Sequence, residues 1–160
     1  MRSIQVIKRR FWLSAAFLTA MSAMFLVMPW ASSVADKTGE WSVRIVGVLF
    51  WAFAITGYAL LAAANARRKS FLAKRFGSDI QADRRPGAFC VFSNKVAKVI
   101  DILLAVFAAV FIILLLTPLR STYIIILALS ALVWAANMHS LFNGKIYRTT
   151  KFNHKERRQL

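Results

Sequence analysis

Four long apolar runs, residues 11–30, 42–64, 96–117 and 122–142, constrain this chain more than anything else in it. Crossing a hydrocarbon core as a helix takes roughly 20 apolar residues. Lipid offers no partners to main-chain N–H and C=O groups, so such runs close their hydrogen bonds internally, as helices. A soluble domain of 160 residues, 59% of them hydrophobic, could not hide all four in one core. The expected fold class is all-α: a polytopic membrane protein, residues 1–160 forming a single domain with four transmembrane helices. A basic central cytoplasmic segment is expected at 65–95 and a cytoplasmic tail at 143–160.

The charge distribution supplies an orientation. Lys and Arg number 22 against 6 acids, a net charge of +16. In a soluble protein that excess would point to nucleic acid. Here topology accounts for it, because cations collect in the cytoplasmic segments of membrane proteins, and no nucleic-acid partner is expected. Arg2, Lys8, Arg9 and Arg10 precede the first run without an acid, and residues 65–95 hold eight cations against two Asp. The 31–41 loop has Lys37 against Asp36 and Glu40, and the short 118–121 connection has Arg120 alone. Both termini and the central segment are therefore expected in the cytoplasm. Arg67, Arg68, Lys69, Lys74 and Arg75 interleave with Phe71, Leu72 and Phe76. A helix leaving the bilayer there can lay its apolar side on the head groups while its cations meet anionic lipid. These five are the candidate lipid or partner contacts. The expected partners are anionic lipid of the cytoplasmic leaflet, another membrane protein or further copies of the chain.

Residues 1–35 admit two readings. Ser33-Val34-Ala35 has the small-x-small form of a signal cleavage site, but the apolar run is longer than the roughly 7 to 15 residues of a signal core, which favours a retained first span. Trp30 and Trp41 flank the polar loop as aromatic residues do at head-group level, and Arg44 can reach Glu40 at i,i+4. Gly47, Ala52, Ala54, Gly57, Ala59 and Ala63 make the second span rich in small residues, which let helices approach closely in lipid. That span is expected at the centre of the bundle. Gly77-Ser78-Asp79 and Arg85-Pro86-Gly87 read as turns, and residues 88–92 as an interfacial elbow with Ser93 or Asn94 as helix N-cap. Pro118 to Ser121 reads as a tight hairpin, and Asn143-Gly144 as a helix stop.

An ionisable residue at membrane depth calls for a reason. Asp101 and His139 are the candidate intramembrane polar pair. Asp101 shares a helical stripe with Ala105, Ala108 and Ile112; His139 shares one with Ala131, Ala135 and Asn143. Folding the chain back at the 118–121 turn brings position 101 level with position 138, because both helices rise equally per residue. In the other reading, Asp101 is a helix-start charge paired with Lys98 at i−3, and His139 an ordinary interfacial group.

Motifs of known chemistry are missing. There are two His, the second being His154 in the tail, and Cys90 is the one cysteine. No HExxH, GxSxG, P-loop, CxxC or paired carboxylates occur. No catalytic, cofactor-binding or metal-ligating residue is assigned, and no cofactor is expected.

Two local patterns are familiar: Arg85-Pro86-Gly87 with Phe92-Ser93-Asn94-Lys95 and Asp101, and Met138-His139 with Asn143-Gly144-Lys145 and Tyr147. They resemble small, functionally uncharacterised bacterial four-pass membrane proteins. The resemblance implies a bacterial plasma (inner) membrane, places both stretches on the cytoplasmic side and carries no activity with it. The expected function is that of a non-enzymatic integral inner-membrane protein acting through helix packing and a basic cytoplasmic face. It would serve as an accessory subunit or as an immunity-type protein against a pore-forming toxin. The alternative is a small oligomeric transporter or channel.

Overall fold

The computed structural model describes residues 2–38, 40–76, 89–117 and 121–151. Among these the only regular elements are helices: α1 (Arg2–Ser33), α2 (Ala35–Thr38), α3 (Trp41–Phe76), α4 (Lys95–Leu116), α5 (Thr122–Phe142) and α6 (Lys145–Thr150). The turns at 77–79 and 85–87, the 118–120 part of the hairpin, and His154 lie outside the described residues.

Four of these helices, α1, α3, α4 and α5, are long and apolar enough to cross a membrane. Two run well beyond their apolar stretches. α1 begins at Arg2, and α3 continues past Ala64 to Phe76. Charge ends the apolar run but not the helix, because Ala, Arg, Lys and Leu all keep the backbone helical at little cost. α6 was not expected in the tail; it is held from outside, by packing of Tyr147 on Phe11 and Phe142.

α1 and α3 form a hairpin through α2 and Glu40, which takes a left-handed φ of 64°. Ser42 Oγ donates to the Ala31 carbonyl across that turn. Along the hairpin Ser14 Oγ donates to the Gly57 carbonyl at 2.8 Å and Arg10 to the Ala63 carbonyl at 3.2 Å. A Cβ on Gly57 would lie 2.9 Å from Leu18, so the missing side chain sets how closely the two helices approach. α4 and α5 form the second hairpin, and α5 lies against α1 through Ser130 Oγ to the Ser22 carbonyl and Trp134 Nε1 to Thr19.

The centre of the array is therefore α1, which packs on α3, α5 and α6. This corrects the expectation for the small-residue-rich span 42–64. α3 buries only part of its small residues: Ala54, Gly57 and Ala64 are buried, Ala52 and Ala59 are exposed, and Gly47 has nothing within 4 Å of a would-be Cβ. Its other side carries exposed Val48, Trp51, Ile55 and Tyr58. α1 instead buries Ile7, Phe11, Ser14, Ala15, Leu18, Met21 and Ser22, a continuous stripe at helical spacing. α4 is peripheral, packing on α5 and exposing Ile102, Val106, Ile112, Ile113 and Leu116.

Candidate functional site

The start of α4 and the end of α5 meet in a buried polar cluster. Asn94 caps α4: its Oδ1 accepts from the Val96 and Ala97 main-chain N–H groups. Asp101 follows two turns later and is 7% exposed. On α5 the helical spacing of 139 and 143 stacks His139 under Asn143, which are 8% and 1% exposed.

Every oxygen of the carboxylate is engaged. Asp101 Oδ1 lies 2.6 Å from His139 Nδ1 and accepts from Asn143 Nδ2 at 2.8 Å. Oδ2 accepts from the Phe92 main-chain N–H at 2.6 Å. A carboxylate only accepts, so Nδ1 of His139 carries the proton it donates. Asn143 Nδ2 then meets Nδ1 at 3.2 Å as a neighbour, donor beside donor, and bonds Asp101 instead. Asn143 Oδ1 accepts from the Ser93 N–H at 3.2 Å. A charge out of water is tolerated when its lone pairs are filled in this way, and no buried side-chain N or O among the described residues lacks a partner.

The cluster holds an unusual backbone. Phe92 has φ 54°, a left-handed conformation that costs a residue with a bulky side chain of the order of 1–3 kcal/mol and persists when its surroundings over-determine it. The bonds from Phe92 and Ser93 to Asp101 and Asn143 are those surroundings.

The structure thus brings Asp101 and His139 together and adds Asn143 and the Phe92–Ser93 main chain to them. The signal for Asn143 was its i+4 position after His139 on the same stripe. Lys98 is exposed and is not among the partners Asp101 uses. The stripe drawn through Asp101 is corrected further down: Ala105 and Ile112 are exposed, and the side of α4 nearer the interior continues through Leu104, Ala108 and Phe111. The less exposed positions of α4 therefore follow i+3, i+7 and i+10 from Asp101 rather than i+4, i+7 and i+11.

No family model matches this chain, and no curated protein or solved structure matches it. The two sequence patterns that look familiar nevertheless share one place, since Ser93 and Asp101 of the first meet His139 and Asn143 of the second.

The cations gather at the same end. Arg10 reaches Ala63, Arg68 Nε donates to Thr149 Oγ1 at 2.9 Å, and Phe11 packs on Phe142 and Tyr147. These contacts place the start of α1, the last part of α3, the end of α5 and α6 together, and the Asn94–Phe142 bond adds the start of α4. Lys8, Arg9, Arg67, Lys69, Lys74, Lys95, Lys98, Arg148 and Lys151 are exposed there. Of the candidate contacts, Arg67, Lys69 and Lys74 point outward, Arg68 is half-buried against α6, and Arg75 belongs to the last turn of α3. At the opposite end are Lys37 and Arg44, the latter 3.7 Å from Glu40 in an exposed pair that adds little stability. Among the described residues no group of three His, Cys, Asp or Glu is placed to hold a metal ion.

Proposed function

We propose that this is a multi-pass protein of the bacterial inner membrane, one four-helix domain in which α1, α3, α4 and α5 span. The N- and C-termini and the segment between α3 and α4 face the cytoplasm. It is non-enzymatic and works through helix packing and a basic cytoplasmic face, as an accessory subunit or an immunity-type protein that meets its target within the bilayer. One observation carries this reading. Among the described residues most of the exposed cations collect at one end of an array whose flanks are apolar, with only Lys37 and Arg44 at the other. That is the pattern of a protein oriented by the positive-inside rule. The exposed apolar sides of α3 and α4 then face lipid or a partner's helix, where close packing rather than water exclusion decides affinity.

The topology is tested with single cysteines after Cys90 is replaced. In right-side-out vesicles, Lys37→Cys should react with an impermeant thiol reagent and Lys69→Cys should not. The reverse pattern rejects the orientation, and release of the protein by alkaline extraction rejects the membrane reading. Purified protein in liposomes should leave the vesicles tight. Ion or solute flux there would replace this reading with that of an oligomeric transporter or channel.

A further inference from the structure

Just ahead of α4 the chain turns three large apolar side chains outward: Phe89 is 77% exposed, Val91 63% and Phe92 58%. The main chain at the end of this run is held in place at Phe92 and Ser93. Phe92 has its left-handed φ of 54°, which a bulky L-residue avoids unless fixed. Its N–H ends on Asp101 Oδ2, and the next N–H ends on Asn143 Oδ1. Asp101 is fixed in turn by His139 and Asn143. Lys95 and Lys98, also exposed, lie on the first turn of α4. Exposed apolar surface continues into that helix through Val96 and Val99. Aromatic and aliphatic groups beside cations at the end of an apolar helix suit the layer where acyl chains give way to head groups.

We propose that Asp101, His139 and Asn143 form a clasp that positions the 89–93 elbow, so that Phe89, Val91 and Phe92 anchor in the interfacial layer of an anionic lipid leaflet. This rests on the membrane reading above. Lipid is the occupant because the flanking Lys95 and Lys98 complement lipid phosphate and because the apolar patch runs without a break into a candidate membrane span. The clasp ties the relative position of two helix ends to the orientation of a lipid-binding turn.

Cys90 lies inside the elbow and is the one cysteine of the chain, so the native protein carries its own reporter. Full-length protein is placed in nanodiscs of phosphatidylglycerol and phosphatidylcholine, with an environment-sensitive fluorophore on Cys90. Lipids brominated near the head group should quench it more than lipids brominated near the chain end. In Asn143→Ala that shallow quenching should fall, and unlabelled Cys90 should react about tenfold faster with a maleimide, as befits losing both the Ser93 N–H acceptor and the donor to Asp101. Asp101→Asn keeps an acceptor for the Phe92 N–H and should fall between the two. The double change Phe89→Ser and Val91→Ser alters exposed side chains only. It should abolish shallow quenching with the helices intact, so the anchor is tested even where a clasp variant fails to fold. A probe at Val110→Cys in a Cys90→Ser background should be quenched by deep bromines. Deep quenching there without shallow quenching at Cys90 overturns the anchor and leaves the membrane reading standing; quenching at neither overturns both. Unchanged quenching and reactivity in Asn143→Ala and Asp101→Asn overturns the clasp.

Discussion

Asn94 donates through Nδ2 to the main-chain oxygen of Phe142 at 2.8 Å, so the residue that starts α4 also finishes α5. Helix starts leave N–H groups without partners and helix ends leave carbonyls without partners; one amide side chain serves both kinds here. Removing a cap of this type costs about 1 kcal/mol, and the stranded carbonyl adds about as much again. Asn94→Ala should show both losses and Asn94→Asp, which keeps the acceptor, only the second. Urea unfolding in detergent measures this. Equal losses for Ala and Asp would mean the cap contributes nothing.

Asp101 and His139 should be energetically coupled. In Asp101→Asn, His139→Gln and the double variant, the two single losses should exceed the double loss. Couplings between polar side chains in membranes average about 0.6 kcal/mol and reach about 1.7. The pair's burial and its third arm, Asn143, place it in the upper part of that range. The cycle is read as stability in nanodiscs, and additive losses would mean that the 2.6 Å contact contributes no stability.

Two glycines of α3 should respond oppositely to the same change. In Gly57→Ala the new methyl meets Leu18 at 2.9 Å, and Leu18 is buried, so the α1–α3 contact must open. Overpacking of this kind costs about 1–3 kcal/mol. Gly47→Ala meets nothing and should gain the roughly 0.5–1 kcal/mol by which Ala exceeds Gly inside a helix. Thermal unfolding of the two variants decides it; a loss at both would show that Gly47 also serves an interface.

The cations in the last part of α3 should divide into two groups. Arg67, Lys69 and Lys74 point outward, and changing all three to Gln should reduce anionic lipid retained by the purified protein. Each cation near an anionic surface contributes about 1 kcal/mol, weakened by added salt. Arg68→Gln should instead lower thermal stability, because its Nε holds Thr149 of α6. Native mass spectrometry of retained lipid and a melting curve separate the effects. An outcome in which Arg68→Gln sheds lipid at unchanged stability would contradict the Thr149 contact.

Sequence alone reveals much of this molecule where one physical quantity dominates. Length and apolarity mark out all four long helices. Equal rise per residue brings position 101 beside 138, next to the residue that Asp101 meets. What stays hidden depends on packing or on backbone angles. Nothing in Phe92 as a residue type announces φ 54°. Asn143 followed by glycine reads as a helix stop, which masks its amide as a partner for Asp101. α6 is six residues with no apolar stripe of its own, and its order comes from Phe11, far away in the chain. The centrality of α1 is written in the spacing of Ile7, Phe11, Ser14, Leu18 and Met21, but the small residues of α3 are the louder signal.

The position of α1 has a consequence for how the chain is made. α1 leaves the ribosome before α3, α5 and α6, which pack on it, and synthesis runs at about 5–20 residues per second. Its polar groups find partners in stages. Ser22 Oγ bonds its own helix at the Leu18 carbonyl, and Ser14 Oγ finds Gly57 once α3 arrives. The Ser22 carbonyl receives Ser130 only when a segment 108 positions further on has been made and packed. Until that moment the nascent protein displays, along Phe11, Thr19 and Ser22 of α1, a landing strip that α5 and α6 have yet to claim.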